Sequence, residues 1–425
     1  MSFFGDISWR GIVNQTTHPE LGELLDKESL VLYAGFDPTA DSLHVGSLLP
    51  LLTLRRFQDA GHTPILLMGG GTGLIGDPSG KTLERQLQTP ELVEANVAGI
   101  RKQAERFVDF SGQRAATVVN NADWLCKLNL LEFLRDIGKY FSVNVMLTRD
   151  SVRQRLEDRD HGISYTEFTY SLLQAYDFLH LFDQFGCRLQ IGGSDQWGNI
   201  VSGMDLTRRI RQGATTFGMT MPLVTKSDGA KFGKSESGNI WLDANRTSPY
   251  KFYQFWINQA DNDVPGYLKF FTFLSREAIE AQLQNLATAP EKREAQRTLA
   301  EEVTRLVHGE DGLTKARNAT AAMFSGDFSA LDDAALEDVF SDMPSSVLAA
   351  SVVDAERPLV DVLVECAVFA SKGEAKRLIQ NGGLSFNNVK VQNELEKLTA
   401  DRVGGRGIAV VRKGKKNYHL LKFAR

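Results

Sequence analysis

Leu32-Tyr-Ala-Gly-Phe-Asp-Pro-Thr-Ala-Asp-Ser-Leu-His-Val-Gly-Ser-Leu-Leu49 is the stretch on which the reading of this chain turns. The run Ser29–Tyr33 that leads into it has the length and apolar character of a buried strand. The pattern breaks at Gly35 and Pro38, and a helical pattern opens near Asp41 or Ser42, either of which can cap a helix by accepting a free backbone N–H. His44 and Gly46 then fall in the first helical turn, where N–H groups point outward and the helix dipole favours anions. An imidazole donor beside a glycine that lets a flat ring approach the backbone suits a nucleotide with its phosphates at the helix end. Taken alone, the stretch is also compatible with a plain strand-to-helix corner carrying a surface histidine.

Working outward, residues 29 to about 220 alternate short apolar strands (Ser29–Tyr33, Pro64–Met68, Ala116–Val119, Arg188–Ile191) with helical patterns such as Leu48–Ala60, Leu92–Val108 and Leu130–Phe141. Such alternation predicts an α/β fold: a Rossmann-like doubly wound parallel sheet whose ligand crevice lies at the carboxyl ends of the strands. The unusual residues collect there, since Gly35–Asp37, Gly69–Asp77, Asn120–Asn121 and Gly192–Gln196 each follow a predicted strand. The chain of 425 residues exceeds one ordinary domain. We read 1–220 as the catalytic domain and 221–325 as a loop followed by an α-helical domain on an aromatic core (Tyr250 to Phe273), with a charged amphipathic helix over Glu291–Val307. Residues 326–357 read as a linker, and 358–425 as a small α+β domain. Its helix opens with a capping box at Ser371–Glu374 and stops at Gly382-Gly383, and two hairpins turn near Asn387-Asn388 and Lys413–Lys416.

Charge is uneven. Pro358–Arg425 holds 13 Lys and Arg against 6 Asp and Glu, a net of +7 in a chain of net −5, so residues 1–357 carry −12. The asymmetry fits a basic tail that meets a polyanion or an incidental solvated surface; for the first, Lys372, Lys376, Arg377, Arg412, Lys413, Lys415 and Lys416 are the candidates for RNA contact. No apolar run long enough to span a membrane and no signal peptide are visible, and Cys126, Cys187 and Cys366 fit neither a zinc spacing nor a disulfide framework. A reducing cytoplasm and no membrane association are therefore expected.

Two glycine motifs mislead. Gly71-Thr-Gly73-Leu-Ile-Gly76 matches a dinucleotide fingerprint, but Asp77-Pro78 follows where that motif needs a continuing helix. Gly76–Thr82 resembles a P-loop one residue too short. What remains is a glycine-rich segment carrying Asp77, with Lys81 and Arg85 beyond it. Lys231-Phe-Gly-Lys234-Ser235 puts two ammonium groups on one loop, a means of following charge as it builds on departing pyrophosphate; it also fits an exposed basic turn. Tyr170, Gln174 and Asp177 form one stripe on a helix over Thr166–Phe182 that is otherwise poor in charge, so the stripe lines a pocket or an internal hydrogen-bond network. Gly192-Gly-Ser-Asp195-Gln196 offers close backbone approach, a carboxylate for ribose hydroxyls and an amide.

His44-Val-Gly46 together with Lys231–Ser235 resembles the two signatures of class I aminoacyl-tRNA synthetases. Tyr33–Thr39, Gly73–Ser79, Tyr170–Asp177 and Gly192-Gly-Ser-Asp-Gln-Trp197, in this order, resemble the bacterial-type tyrosyl-tRNA synthetase family over essentially the whole chain. The resemblance implies that Tyr33 and Asp177 hold the phenolic hydroxyl of tyrosine. Asp77, Tyr170 and Gln174 would take its ammonium group, and Gln196 would meet its carboxylate. It assigns ATP to Asp37, Gly46, Ser47, Gly193, Asp195 and Lys234. Thr39, His44, Lys81, Arg85, Lys231 and Lys234 would serve the reacting phosphates. The position of the family's usual second histidine is Ser47. The implied partners are tyrosine, ATP with its Mg2+, and tRNA, with a homodimer and no protein-bound metal. Phe133, Ile137, Tyr140 and Phe141 could supply the dimer's apolar face. A tryptophan-specific relative, a non-catalytic RNA-binding protein of the same fold, and a dehydrogenase using Gly71–Gly76 are the rival readings.

Overall fold

A computed structural model describes residues 2–79, 88–157, 162–229, 232–235, 238–341, 343–403, 407–414 and 417–424. By contacts the chain divides into two units, Met1–Arg246 with Trp256–Val307, and Thr247–Phe255 with His308–Arg425. The division falls inside the span read as one helical domain, 221–325.

The first unit is built on six strands: β1 (Gln15–Thr16), β2 (Val31–Phe36), β3 (Thr63–Met68), β4 (Thr117–Asn120), β5 (Cys187–Gly193) and β6 (Phe217–Met221). They lie in the order β1-β6-β5-β2-β3-β4, and every pair is parallel except β1 with β6. Near-continuous apolar runs such as Ile65-Leu-Leu-Met68 bury both faces under helices, as parallel sheets require. The chain leaves β2 toward β3 and β4, then crosses back to β5 and β6. The order therefore reverses between β2 and β5, where such folds bind ligands.

Two expectations near the opening stretch need correction. Strand β2 passes through Gly35 to Phe36, because its pairing with β3 continues through Gly35↔Leu67 and Phe36↔Met68. The helix does not open at Asp41 or Ser42. His44 is extended, at φ −118° and ψ 171°, and pairs with Trp241 between the bonds Val45 N to Ile240 O and Leu242 N to Leu43 O, which keeps residues 43 and 44 out of a helix. Ser42 instead donates to Leu43 O and accepts from Gln103, while Asp41 pairs with Arg246. His44 caps a single 3-10 turn, Val45–Ser47, and the α-helix Leu48–Asp59 follows.

Helix ends elsewhere follow their caps. Thr89 accepts from Leu92 N ahead of the helix Pro90–Ala104, and Ser164 accepts from Glu167 N ahead of Tyr165–Phe185, which stops at Gly186 with φ +63°. The pattern over Leu130–Phe141 splits into a helix Leu130–Asp136 and a 3-10 turn Gly138–Tyr140. Arg10 and Arg56, both buried, donate to carbonyls at and just beyond the end of the helix Val264–Phe271: Arg10 to Leu274 O at 2.7 Å, Arg56 to Thr272 O at 2.5 Å. Two guanidinium groups thus satisfy backbone acceptors that would otherwise be buried unpaired. A short hairpin, β7 (Lys234–Ser235) with β8 (Gly238–Asn239), also belongs to this unit.

The second unit holds a five-stranded sheet of β9 (Ser345–Ala349), β10 (Leu384–Phe386), β11 (Val389–Lys390), β12 (Ile408–Lys413) and β13 (Asn417–Ala424), in the order β11-β10-β12-β13-β9. The residues read as a linker, 326–357, supply part of this fold. A helix Asp333–Val339 packs Leu336 and Val339 into an apolar cluster with Val410 and Leu420, and β9 runs parallel to β13. The strand is only five residues long and follows the acidic run Asp332–Asp338 and the break at Pro344, which hides it from a composition reading. The helix Lys372–Gln380 starts with Ser371 accepting from Glu374 N, but Glu374 returns its bond to Ala370 N, one residue before the capping-box position. Asn387 and Asn388, at φ +43° and +70°, make the turn between β10 and β11. The charged helix of the Glu291–Val307 span runs as Glu294–Ser325 and is interrupted at Gly309, with φ +73°.

Gly99 lies against the backbone of Asp41, so a β carbon there would overlap the Asp41 carbonyl oxygen. Gly99→Ala is expected to destabilise the first unit by about 1–3 kcal/mol, read as a lower urea midpoint for its unfolding transition. An unchanged midpoint would show that the helix shifts freely.

Candidate active site

At the carboxyl ends of β2, β3 and β5 lies a cavity of about 300 Å³. Strand β2 and the turn after it contribute Tyr33 and Asp37, and the 3-10 turn contributes Ser47. The glycine-rich segment after β3 contributes Thr72, Asp77 and Ser79. Tyr170, Gln174 and Asp177 enter from the helix Tyr165–Phe185. Gln190, Gly193, Asp195 and Gln196 come from β5 and the turn beyond it. The stripe on the helix is inside: Tyr170, Gln174 and Asp177 are all buried.

The floor carries the sharpest chemistry. Asp177 is 1% exposed. One of its carboxylate oxygens accepts from Trp124 Nε1 at 2.7 Å and the other from Asn121 Nδ2 at 2.9 Å. Each oxygen keeps a further lone pair. Burial outweighs these two donors and pushes its pKa up to about 7. Three polar atoms lining the same cavity, Tyr33 Oη, Gln174 Oε1 and Gln190 Oε1, are buried with no hydrogen-bond partner among the described residues. Burial and the nearby Asp177 hold the Tyr33 hydroxyl protonated well above its ordinary range. An unpaired buried polar atom costs about 1–3 kcal/mol, and three in one hollow point to a ligand that pairs them.

A second network lines one wall. Asp77 accepts from Ser79 N at 2.9 Å and from Gln196 Nε2 at 2.8 Å, and Gln196 accepts in turn from Asn199 at 3.2 Å. A side chain at Gly193 would strike the Asp195 carboxylate, so the backbone is bare where a ligand can approach it.

The mouth is arranged differently from the floor. His44 Nδ1 accepts from Gly46 N at 3.0 Å, so in the neutral ring Nε2 carries the proton and is a donor. A β carbon at Gly46 would come within 2.7 Å of the His44 ring. Thr39 is exposed; its N–H donates to Asp37 O, and its carbonyl accepts from Gln88. Thr39, His44 and Gly46 are not among the cavity's lining residues. Lys234 is placed by its backbone in β7, whereas Lys81, Arg85 and Lys231 lie outside the described residues.

Asn121, noted from the sequence only as following a strand, belongs to the site, and so do Trp124, Gln190 and Asn199, which were not singled out. Gln190, a polar residue inside an apolar predicted strand, was the available signal. In the tail, Lys372 pairs with Asp361, Lys376 with Glu394 and Lys413 with Glu374, so these cations are partly neutralised at the surface. Arg377 is exposed and Arg412 half-buried, and Lys415 and Lys416 lie outside the described residues.

Residues 25–325 match the family model for class I tRNA synthetases (W and Y), and residues 335–421 match the tyrosine–tRNA ligase SYY-like C-terminal domain. The chain is 54% identical to the tyrosine–tRNA ligase of Geobacillus stearothermophilus, with all of both chains covered. It is 53% identical to that of Staphylococcus carnosus, with 98% of each covered. Among solved structures, a C-terminally truncated mitochondrial tyrosyl-tRNA synthetase of Aspergillus nidulans superposes with a TM-score of 0.68 at 33% identity, over 76% of this chain and 94% of that one. A tryptophanyl-tRNA synthetase of Encephalitozoon cuniculi, at 17% identity and a TM-score of 0.52 over 74% of this chain and 89% of that one, shares the fold.

Between the ordinary carboxylate value and about 7, the folded chain holds a proton on Asp177 that the unfolded chain has lost. The contribution of this site to stability therefore falls as pH rises through that window and is least favourable above it. Titration of the aspartate side chains by carbon NMR, without ligand, is expected to show one carboxyl titrating near 7. Trp124→Phe removes a donor to the charged form and moves that value higher; a shift downward would contradict the assignment.

Proposed function

The chain belongs to the class I tRNA synthetases of the tryptophan and tyrosine family, and from this membership we propose how its crevice serves the tyrosine–tRNA ligase reaction. The enzyme activates tyrosine with ATP to tyrosyl-adenylate and pyrophosphate, then transfers tyrosine to the 3′ end of its tRNA. The observation that carries the residue-level reading is the buried, unpartnered Tyr33 hydroxyl beside a buried carboxylate.

A phenol suits that pair: its O–H donates to Asp177 and its oxygen accepts from Tyr33. Phenylalanine leaves the Tyr33 hydroxyl unpaired and adds no donor to Asp177, and an indole N–H can donate to Asp177 but offers nothing to Tyr33. Asp77, Tyr170 and Gln174 surround the ammonium group, and Gln196, braced by Asp77 and Asn199, meets the carboxylate. In the first step a carboxylate oxygen attacks the α-phosphorus and pyrophosphate leaves. In the second a ribose hydroxyl of the tRNA end attacks the carbonyl carbon and AMP leaves. Gly193 and Asp195 take the ribose, and Asp37 and Gly46 lie along the nucleotide.

The proton on His44 Nε2 is a fixed donor for phosphate oxygen, and Thr39, Lys81, Arg85, Lys231 and Lys234 gather round the charge that develops on the departing group. Ser47 supplies a ribose-side hydroxyl, and adenylate formation unchanged in Ser47→Ala would remove it from the set. ATP arrives as its Mg2+ complex; among the described residues no group of three His, Cys, Asp or Glu side chains could hold a metal.

We further assign the basic tail to tRNA, the enzyme to the cytoplasm, and the assembly to a homodimer. Among the described residues no helix is long and apolar enough to cross a membrane. The residues expected to form the dimer face, Phe133, Ile137, Tyr140 and Phe141, turn inward onto Ala175 and Leu179. The outward residues of the same segment, Leu130, Leu131 and Leu134, are 69%, 76% and 44% exposed and continue to Val143 and Val145. An apolar face of this kind fits a second copy of the chain.

Tyrosine-dependent ATP–pyrophosphate exchange, run beside tryptophan and phenylalanine, tests the chemistry; exchange with tyrosine alone is expected. Tyr33→Phe should raise the tyrosine KM about five- to tenfold, the effect of one neutral hydrogen bond, with kcat little changed. An unaltered KM would remove Tyr33 from the floor. Leu131→Glu should yield monomers in sedimentation, and a dimer that persists would place the interface elsewhere.

A further inference from the structure

The extended segment after the two-lysine loop is hydrogen-bonded to the His44 turn on one side and to the loop on the other. Val45 N donates to Ile240 O at 3.0 Å and Leu242 N to Leu43 O at 2.9 Å, which sets His44 opposite Trp241 as an antiparallel pair. Ile240 N donates to Gly233 O at 3.0 Å, so the same residue ties in the loop. The His44 and Trp241 rings meet edge to face, 6.2 Å apart at 74°. The Arg246 guanidinium lies 4.7 Å from the centre of the Trp241 ring and is paired with Asp41, three residues before His44.

The loop itself is seated by its neighbours. Phe232, between the two lysines, is buried and stacks on Phe271 at 5.4 Å and 9°. Gly233, at φ +79°, packs so close that a β carbon would stand 2.7 Å from Val45 Cγ2.

We propose that Trp241 is a positioning residue: its ring holds the His44 imidazole in place at the phosphate end of the crevice, while the backbone bonds of the neighbouring Ile240 set the register of the lysine loop. This rests on the reading of His44 and Lys234 given above. Contacts to two described residues, Gly46 and Trp241, bear on the imidazole. Gly46 N fixes which nitrogen carries the proton, and the Trp241 edge restrains the plane in which that proton is offered. Donors that stabilise a transition state act through placement, and an error of about 1 Å can cost on the order of a hundredfold in rate. Phe232 and Gly233 complete the register by tying the loop to the aromatic core and to Val45. Removing the Trp241 ring would release the histidine donor, while leaving the backbone pairing of the loop and the tyrosine floor at Asp177 in place.

The test uses the full chain and tyrosine-dependent pyrophosphate exchange. An inactive parent overturns the reading and this proposal alike; with an active parent the variants decide. Trp241→Ala is expected to lower kcat by about 10- to 100-fold with the tyrosine KM within about twofold, and Trp241→Phe to retain most activity. In the His44→Ala background Trp241→Ala should cost almost nothing more, since the ring it positions is gone. Unchanged kcat in Trp241→Ala, a tyrosine KM that rises with the loss, or full additivity with His44→Ala would overturn the proposal. If Trp241→Ala does not fold, Arg246→Gln, at a partly exposed site, carries the same cycle. A several-fold loss that vanishes in the His44→Ala background supports the proposal, and a loss that persists there overturns it.

Discussion

A buried carboxylate needs donors, and the way Asp177 obtains them sets the geometry of the crevice. Its helix cannot supply them, since every helical N–H past the first turn is already used. They come from the segment after β4, through Asn121 and Trp124. Asn121 is itself fixed, accepting from Gly71 N at 2.7 Å and donating to Thr72 at 2.9 Å. One carboxylate therefore holds three segments, after β3, after β4 and in the helix Tyr165–Phe185, at a common point. Trp124 is steadied in turn by stacking on His180, 4.2 Å away on that helix. The same bonds that compensate for burying the charge close the floor of a hollow large enough for a small planar ligand. Two donors leave the charged form still disfavoured.

The reversal of strand order between β2 and β5 opens the space above this floor. Tyr33 and Gln190 sit opposite each other across the pairing of these two strands, and both bring unpaired polar atoms into the hollow. Toward the mouth, the chemistry changes from side chains buried in strands and a helix to turns and backbone. His44 is extended because it is paired with Trp241, and its ring is set by a main-chain N–H. The floor is therefore built from side chains held by regular elements, while the segment at His44 is built from turns and backbone bonds.

Much of this was legible in the residues because strong local signals agreed with the final environment. Four apolar runs became four parallel strands, and the Tyr170, Gln174 and Asp177 stripe predicted an inward face because a solvated face would carry more charge. What stayed hidden depended on partners distant in sequence. Nothing near Asp41 or Ser42 announces that His44 is held extended by its pairing with Trp241. Nothing in the acidic stretch before residue 357 announces that Ser345–Ala349 pairs with β13, more than seventy residues later. Phe133 and its neighbours had helical spacing, but spacing alone does not say which side faces Ala175. Asn121 was visible only as a polar residue after a strand and Trp124 escaped notice, because their importance lies in what they bond to, and that is a property of the fold.

The order in which the chain leaves the ribosome gives the clasp of Arg10 and Arg56 a further meaning. The acceptors they serve lie at Thr272 and Leu274, and β1 at residues 15–16 has no sheet partner until β6 at 217–221 exists. The amino-terminal segment must therefore wait, with two cations destined for burial, through more than half of translation. Contacts of such long reach slow folding and leave nascent surface open to other chains, and early charges such as these keep the waiting segment hydrated until its late-made half emerges.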